Sequence, residues 1–410
     1  MMPFGRDFGL FLGGTSLSAI GTAMIPVALS FALLDAGHAA GALGLVLAAQ
    51  ALPTAALLLF GGVLGDRWPR RSIMIRADLL CCAAQGALAL LLVRGSTSLA
   101  PVVALAALVG VGTAFLQPAR GAFVAEIVAP DQLARANGAV GAGAAIAMIV
   151  GPALAALIVG AVGAGWAVAI DGASYGASAL CLALVSVRGA AAAADGSRGT
   201  VMQDMRAGLA AFAGRRWLWL LVGQFGLLNL VAFTPVLVIA PVLFSGSPHG
   251  AAHWGWLLSA CGVGGLLGAA AIMRWPPRRA GLAIEAAVLL LAAPLLLLAV
   301  RAPLPLLLLS GLGYGAGEAV VNVMIGTMIQ REIPAHLLSR VFSVVQIAAG
   351  VLAPAGYALA GPVSAWLGPD RALLGAGLAS LASVGALLCV AEIRGFGLAP
   401  ADPSDAPRPA

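Results

Sequence analysis

Twelve apolar runs of 20 residues or more follow one another along the chain. They lie at 8–34, 41–65, 73–93, 99–119, 137–162, 165–187, 217–244, 254–273, 281–300, 303–326, 341–366 and 372–392. A helix of about 20 apolar residues crosses the hydrocarbon core of a bilayer. The runs lack the two-residue alternation of transmembrane β-strands, and backbone groups in lipid must be paired within a helix or a closed barrel. We therefore predict an all-α membrane protein with twelve transmembrane helices.

Composition excludes a soluble globule, because 61% of the residues are hydrophobic and only 9% are charged, against about 25% charged in soluble domains. All 22 basic residues are arginines, and their net positive charge lies in short loops, which indicates membrane orientation rather than nucleic-acid binding. Only Arg94, Arg301 and Arg371 follow odd-numbered runs; the other nineteen follow even-numbered runs or lie near the ends of the chain. This asymmetry predicts cytoplasmic termini and, with the membrane character, a place in the inner (cytoplasmic) membrane.

Other sequence features argue against cofactors and enzymatic chemistry. The five cysteines lie inside apolar runs, without a C-x-x-C pair or a nearby His cluster, so we expect buried hydrophobic side chains and no metal or cofactor. ATP hydrolysis is excluded because the chain has no phosphate-binding G-x-x-x-x-G-K-[ST] loop and no lysine at all. A membrane-embedded enzyme or receptor is the alternative of another class, and the sequence offers it no H-E-x-x-H or G-x-S-x-G site.

An internal repeat divides the chain. The segment 66–71 (Asp-Arg-Trp-Pro-Arg-Arg) after run 2 has a counterpart at 274–279 (Arg-Trp-Pro-Pro-Arg-Arg) after run 8, and 126–135 after run 4 has one at 332–340 after run 10. Two similar halves are typical of transporters whose site lies between the halves near the membrane midplane. The predicted organisation is a six-helix bundle at 1–187, a cytoplasmic linker at 188–216, a second bundle at 217–393 and a disordered tail at 394–410, in a monomer.

The loop after run 2 resembles that of the major facilitator superfamily, whose pattern is G-x-x-x-D-R-x-G-R-R. Here it runs from Gly62 to Arg71, with Pro69 in place of the usual Gly. The resemblance extends over essentially the whole chain and implies two six-helix bundles related by a pseudo-twofold axis. In the family, the acid and arginines of this loop form a cytoplasmic latch thought to stabilise the outward-facing state. The latch candidates are Gly62, Asp66, Arg67, Arg70, Arg71, Asp78 and Arg120.

Run 5 resembles the family's antiporter motif, which accompanies exporters. Gly138, Gly151 and Pro152 match it, and alanines stand at three of its glycine positions. Glycines that only permit close helix packing are the competing interpretation. Segments such as Pro118-Ala119-Arg120 and 170–175 look like the drug-efflux branch that contains macrolide and enterobactin exporters.

Ionisable groups inside membrane spans are costly and tend to mark function. Glu318 lies near the middle of run 10, with Asn322 four residues later and Tyr314 four residues earlier on the same helical face. A buried carboxyl can bind and release a proton near neutral pH. We therefore predict that this face couples transport to protons or binds a cationic substrate, the alternative being a structural, hydrogen-bonded Glu.

Three further acids receive other assignments. Asp171 in run 6 is favoured as a structural helix contact and is the next candidate for proton coupling. Asp78, one turn inside run 3, is expected to pair with cytoplasmic charges such as Arg76. Glu285, near Arg278 and Arg279, is expected to extend towards the interface.

Polar and aromatic residues on the expected cavity helices suggest a mainly apolar site with a few hydrogen-bonding groups, although helix packing is an alternative for each of them. The cavity candidates are Ser18, Thr22, Phe115, Gln117, Gln224, Phe225 and Asn229. The expected function is proton-coupled export of amphipathic small molecules, such as drugs, antibiotics or siderophores, with lipid bilayer, substrate and protons as partners. Uptake of a nutrient and movement of a lipid or siderophore remain alternatives.

Overall fold

The computed structural model describes residues 5–65, 69–186, 209, 212–334 and 337–395. Most of the predicted linker at 188–216 and of the predicted tail at 394–410 lies outside these residues. Asp66 and Arg67, which belong to the predicted latch, also lie outside them.

Each of the first six apolar runs forms a helix. The helices are α1 (Arg6–Leu34), α2 (Ala40–Gly65), α3 (Arg70–Val93), α4 (Leu99–Ile127), α5 (Leu133–Val162) and α6 (Ala164–Leu184). A short 3₁₀ turn, Pro130–Gln132, precedes α5. Gly163 joins α5 to α6 with a φ of 95°, a backbone conformation that favours glycine.

The second six runs repeat this order. The helices are α7 (Arg216–Phe244), α8 (Gly250–Arg274), α9 (Ala280–Ala299), α10 (Leu304–Glu332), α11 (Leu338–Gly350 with Ala353–Leu367) and α12 (Pro369–Leu388), followed by the short α13 (Ala391–Gly395). Gly368 joins α11 to α12 with a φ of 83°. It is the counterpart of Gly163, so the internal repeat extends to the backbone of the tight turn.

Helix α7 changes to a π-helix at Asn229–Phe233. Pro235 follows after Thr234, and its ring nitrogen has no hydrogen to donate to the helix. The hydroxyl of Thr234 donates to the Asn229 carbonyl at 2.5 Å, which satisfies one backbone acceptor in the irregular turn. Asn229 is thereby placed where its amide donates across to the Ala349 carbonyl of α11 at 3.1 Å.

The described residues contain twelve helices that are long and apolar enough to cross a membrane. Large apolar side chains such as Leu157, Leu180 and Leu309 point outwards and are exposed, as expected of a surface that meets lipid rather than water. Exposed tryptophans lie close to helix ends, for example Trp166 in α6 and Trp366 in α11, which is typical of the membrane interface. The chain is a multi-pass membrane protein.

Helices α1–α6 pack into one bundle and α7–α12 into another. Helix α6 packs against α1 and α3 in the first bundle, and α10 packs against α8 and α9 in the second. The bundles meet along two helix pairs, α2 with α11 and α5 with α8.

We call the side on which α1 begins and α12 ends the terminal face, and the opposite side the far face. The closest approaches between the bundles lie towards the far face. Gly44 of α2 contacts the Tyr357 carbonyl of α11, and Gly361 of α11 contacts the backbone of Gly41. A Cβ placed on Gly255 of α8 would lie 2.6 Å from the Pro152 carbonyl oxygen of α5. Backbone-to-backbone contacts of this kind, which glycine permits, close the molecule at the far face.

Candidate functional site

Three adjoining chambers lie between and within the bundles. The central chamber, of about 480 Å³, is lined mainly by α1, α2, α7 and α11, with Thr113 of α4. The first-bundle chamber, of about 570 Å³, is lined mainly by α1, α4 and α5 and shares Thr22, Pro26 and Thr113 with the central one. The second-bundle chamber, of about 520 Å³, is lined by α7, α10 and α11 and shares Gln346 with the central one. The three chambers therefore adjoin one another through shared lining residues.

Glu318, Asn322 and Tyr314 line the second-bundle chamber together. The side chains of Glu318 and Asn322 are exposed to it, and the Asn322 amide donates to the Glu318 backbone carbonyl at 3.0 Å. The Tyr314 ring lies edge-on to Phe233, with centroids 6.2 Å apart. Four-residue spacing on a helix therefore puts a carboxylate, an amide and a phenol on one wall of the cavity.

Two of the other predicted cavity residues also line the second-bundle chamber. They are Phe225 and Asn229, both on α7. Asn229 donates to two backbone carbonyls, those of Phe225 and Ala349, so the irregular part of α7 is joined to α11 at the cavity wall.

The first-bundle chamber carries the other polar wall. It is lined by the predicted residues Thr22 and Gln117, and also by Arg120 and Tyr175. The hydroxyls of Thr22 and Tyr175 are 3.0 Å apart and hydrogen-bonded. Arg120, which the sequence analysis grouped with the latch, thus lies on the cavity wall.

Asp171 lies directly behind this wall and is fully buried. The Gln85 amide of α3 donates to its carboxylate at 2.6 Å. A Cβ on Gly21 of α1 would lie 2.7 Å from the carboxylate, so glycine at that position gives the acid room between α1, α3 and α6. The geometry is that of a helix contact placed next to Tyr175, not that of a group lining the cavity.

Asp78 is a second buried acid; it lies on α3, seven residues before Gln85. Its carboxylate accepts a hydrogen bond from Ser178 of α6 at 2.7 Å and lies 3.6 Å from the Arg120 guanidinium. The expected salt bridge of Asp78 is present, but the acid is fully buried and its partner is Arg120 of α4 rather than the neighbouring Arg76. The distance of Asp78 from the end of its helix can be predicted from the sequence. The face of the helix on which it lies depends on how the helices pack, which one sequence does not reveal.

Two arginines of the predicted latch, Arg70 and Arg71, bind within their own bundle. Arg70 donates to the Glu126 carboxylate of α4 at 2.8 Å, and Arg71 donates to the Leu182 and Ala183 carbonyls of α6 at 2.7 and 2.5 Å. Cations at the unpaired carbonyls of a helix end stabilise that end. Gly62 lies near the end of α2.

The predicted antiporter helix packs in two directions. A Cβ on Gly151 would lie 2.5 Å from the Ala23 side chain of α1, and the carbonyl of Pro152 contacts Gly255 in the other bundle. Gly138 is different, because nothing in the described part of the chain lies within 4 Å of where its Cβ would be. The small residues of α5 thus mediate close packing at Gly151 and Pro152, whereas Gly138 does not.

Three predicted cavity residues lie elsewhere, and two of them, Phe115 and Ser18, belong to the first bundle. Phe115 lines a separate pocket of about 200 Å³ between α3 and α4, because it faces away from the side of α4 that carries Gln117. Ser18 is fully buried, with its hydroxyl oxygen 3.5 Å from the Arg120 guanidinium. It therefore contacts a cavity residue from behind the wall.

Gln224 and Glu285 form a buried polar pair that corrects two expectations. The Gln224 amide donates to the Glu285 carboxylate and to the Ser383 hydroxyl, both at 3.1 Å. Gln224 therefore joins α7 to α9 and α12 instead of facing the cavity. Glu285 is 1% exposed and does not extend towards the interface.

We expect the substitution Gln224→Leu to destabilise the protein by about 1–3 kcal/mol, because it leaves a buried carboxylate without its donor. Thermal unfolding of the purified protein in detergent should show a lower Tm. Gln117→Leu is the matched control, since that amide is exposed in the cavity and its loss should leave the Tm unchanged. Equal Tm values for Gln224→Leu and the wild type would show that the pair contributes nothing to stability.

Several cavity residues were missed by the sequence analysis. Gln50 and Thr54 of α2 and Gln346 of α11 line the central chamber. Gln50 and Thr54 are four residues apart in an otherwise apolar run, the same signal that identified Glu318 and Asn322. Within the described ranges, no group of three or more His, Cys, Asp or Glu side chains is placed to hold a metal ion.

Comparison with known proteins places this geometry in context. A model of the family described as the Major Facilitator Superfamily matches residues 11–356. The multidrug efflux pump Tap of Mycobacterium tuberculosis is 29% identical over 417 residues, covering 97% of this chain and 96% of the relative. The multidrug efflux pump Tap of Mycolicibacterium fortuitum is 27% identical over 374 residues, covering 87% and 88%.

Solved structures share the fold. The nucleoside transporter NupG aligns with a TM-score of 0.73 at 11% identity, covering 94% of this chain and 99% of that one. A bacterial homolog to the human lysosomal transporter Spinster, in an inward-facing and unoccupied conformation, aligns with a TM-score of 0.71 at 14% identity, covering 97% and 96%. These similarities concern the arrangement of the helices.

Proposed function

This chain belongs to the Major Facilitator Superfamily of transporters, and from that premise we propose that it is a secondary active exporter of amphipathic small molecules, driven by protons moving inward. The observation that carries the proposal is the exposed carboxyl of Glu318 on the wall of the second-bundle chamber, which adjoins the central chamber at Gln346. A carboxyl there can exchange a proton with water in the cavity and interact with a substrate in the same space. The resemblance to multidrug efflux pumps supports the outward direction.

We place both termini in the cytoplasm and the protein in the inner membrane of the cell. The support is the distribution of arginines, nineteen against three, which follows the rule that cytoplasmic loops are enriched in basic residues. The far face is then the outer one. The Gly41–Gly361 and Gly44–Tyr357 contacts would close the outside, so the cavity would load substrate from the cytoplasm.

The proposed substrate class follows from the cavity walls. Apolar side chains such as Ile25, Leu47 and Leu237 line the central chamber beside a few hydrogen-bonding groups. Such a surface suits molecules that are partly apolar and partly polar. In this proposal the transporter acts as a monomer, needs neither ATP nor a cofactor, performs no catalysis and binds no nucleic acid.

Inverted membrane vesicles test the proposal. We expect a fluorescent amphipathic dye to accumulate when the vesicle interior is made acidic, because protons leaving the vesicle drive the dye in. Vesicles without the protein, and vesicles treated with a protonophore, are the controls. Lack of accumulation with every member of an amphipathic panel would contradict export. Proton-driven accumulation only in right-side-out vesicles would favour the uptake alternative.

A further inference from the structure

Arg120 puts a positive charge on the wall of a chamber that is linked to the chamber of Glu318 by shared lining residues. Its side chain lines the first-bundle chamber and is 24% exposed. That chamber shares Thr22 with the central one, and the central one shares Gln346 with the chamber of Glu318. This series of adjoining chambers therefore has a cation on the wall of the first bundle and a carboxyl on the wall of the second.

The hydrogen bonds of Arg120 are incompletely satisfied. Its Nη2 atom is 3.6 Å from Asp78 Oδ1 and 3.5 Å from Ser18 Oγ, distances too long for strong hydrogen bonds. Its Nε atom is buried and has no hydrogen-bond partner among the described residues. The guanidinium has five donors, and among the described residues the four on its Nη atoms have only these two long contacts.

The Asp78 carboxylate binds the Arg120 guanidinium only weakly. One oxygen, Oδ2, accepts from Ser178 at 2.7 Å, whereas Oδ1 has no hydrogen bond within the part of the chain that the structure describes. Arginine prefers two parallel hydrogen bonds to a carboxylate or a phosphate, and Asp78 does not provide them. A ligand with an anionic group could provide them from the cavity side.

We propose that Arg120 binds an anionic group of the substrate, so that the preferred substrates are zwitterionic amphiphiles whose cationic group lies towards Glu318. This inference deepens the proposed function and rests on it for the role of the cavity. Charges are only partly shielded inside a membrane protein, so an unmatched charge there is costly. A zwitterion offers acceptors to the Nη donors of Arg120 and a cation to Glu318, whereas a purely cationic amphiphile offers those donors no acceptor. Gln117 and Asn137 line the same chamber and can add hydrogen bonds to the anionic group.

A matched pair of dyes tests this inference on the purified full-length protein. The probes are a rhodamine with a free carboxylate, which is a zwitterion, and its methyl ester, which is a cation of nearly the same size. We expect the wild type to bind the zwitterion about tenfold more tightly than the ester, as measured by fluorescence anisotropy. Arg120→Gln should bring the two affinities to within about twofold of each other, while Arg120→Lys should retain part of the preference.

Asp78→Asn should change the preference for the zwitterion over the ester in the opposite direction. It removes the carboxylate that competes for Arg120 and leaves an amide that Ser178 can still contact, so the preference for the zwitterion should increase. If Arg120→Gln does not fold, the double substitution Asp78→Asn with Arg120→Gln removes both charges together and should also abolish the preference. If the role of Arg120 were purely structural, each variant would bind both dyes more weakly and by the same factor.

The outcomes separate this inference from the proposed function. Overturning results are a wild type that does not prefer the zwitterion, or an Arg120→Gln variant that keeps the full preference. Either can occur while the inverted vesicles still export amphiphiles. Conversely, the predicted binding pattern without proton-driven export would support the Arg120 site and contradict the exporter.

Discussion

Glu318→Gln should abolish proton-driven accumulation of substrate in inverted vesicles. Gln has nearly the same shape as Glu but cannot bind and release a proton in the physiological range. The Glu318 side chain is exposed to the second-bundle chamber, and the hydrogen bond from Asn322 is made to its backbone carbonyl. The substitution should therefore leave the packing of α10 intact, and expression and Tm should match those of the wild type. Accumulation should fall to that of vesicles without the protein.

Counterflow separates loss of coupling from loss of transport. In that assay, exchange of labelled for unlabelled substrate needs no net proton movement, so Glu318→Gln should still exchange substrate. Glu285→Gln is the matched control, because that acid is buried between helices and contacts Gln224 instead of the cavity. Wild-type export by Glu318→Gln would mean that protons are carried elsewhere, and Asp171→Asn would be the next variant to test.

The number and order of the helices could be predicted because lipid requires long apolar helices, and twelve apolar runs became twelve helices. Some helix ends could not be predicted in this way. Helices α4 and α10 continue past the predicted ends of their runs, 119 and 326, to Ile127 and Glu332. Polar residues end an apolar run, but they do not break the backbone hydrogen bonds of a helix that continues beyond the hydrocarbon core.

The side chains of the candidate site were only partly predictable. Four-residue spacing placed Glu318 and Asn322 on one face, because both lie on the same helix. The partner of Glu285 is Gln224, 61 residues earlier in the chain, and that of Asp78 is Arg120 on another helix. Such pairs depend on how helices pack, which a single sequence does not reveal. In an almost wholly apolar helix, a polar residue is equally compatible with a cavity wall and with a helix contact.

Gly361→Val should open the far face and stop the transport cycle. A Cβ at position 361 would collide with the backbone of Gly41 in the other bundle, and neither backbone can move aside without separating α2 from α11. Overpacking of this kind costs about 1–3 kcal/mol. Because the collision occurs only in the state closed at the far face, this cost would destabilise that state alone. The conformational equilibrium would then shift about 5- to 150-fold towards the state open at the far face. Export needs both states, so its rate should fall by a similar factor.

Thiol labelling can measure this shift. In a variant without the five native cysteines, Gln346→Cys places a single thiol on the wall of the central chamber. In the proposed orientation the far face is the outer one, so added Gly361→Val should make that thiol react faster with a membrane-impermeant reagent supplied from outside the cell. Gly375→Val on α12 is the matched control, because nothing in the described ranges lies within 4 Å of where its Cβ would be. If both valine variants react and transport like their parent, the contact between Gly41 and Gly361 does not close the far face; if only Gly361→Val reacts faster, that contact holds the two bundles together.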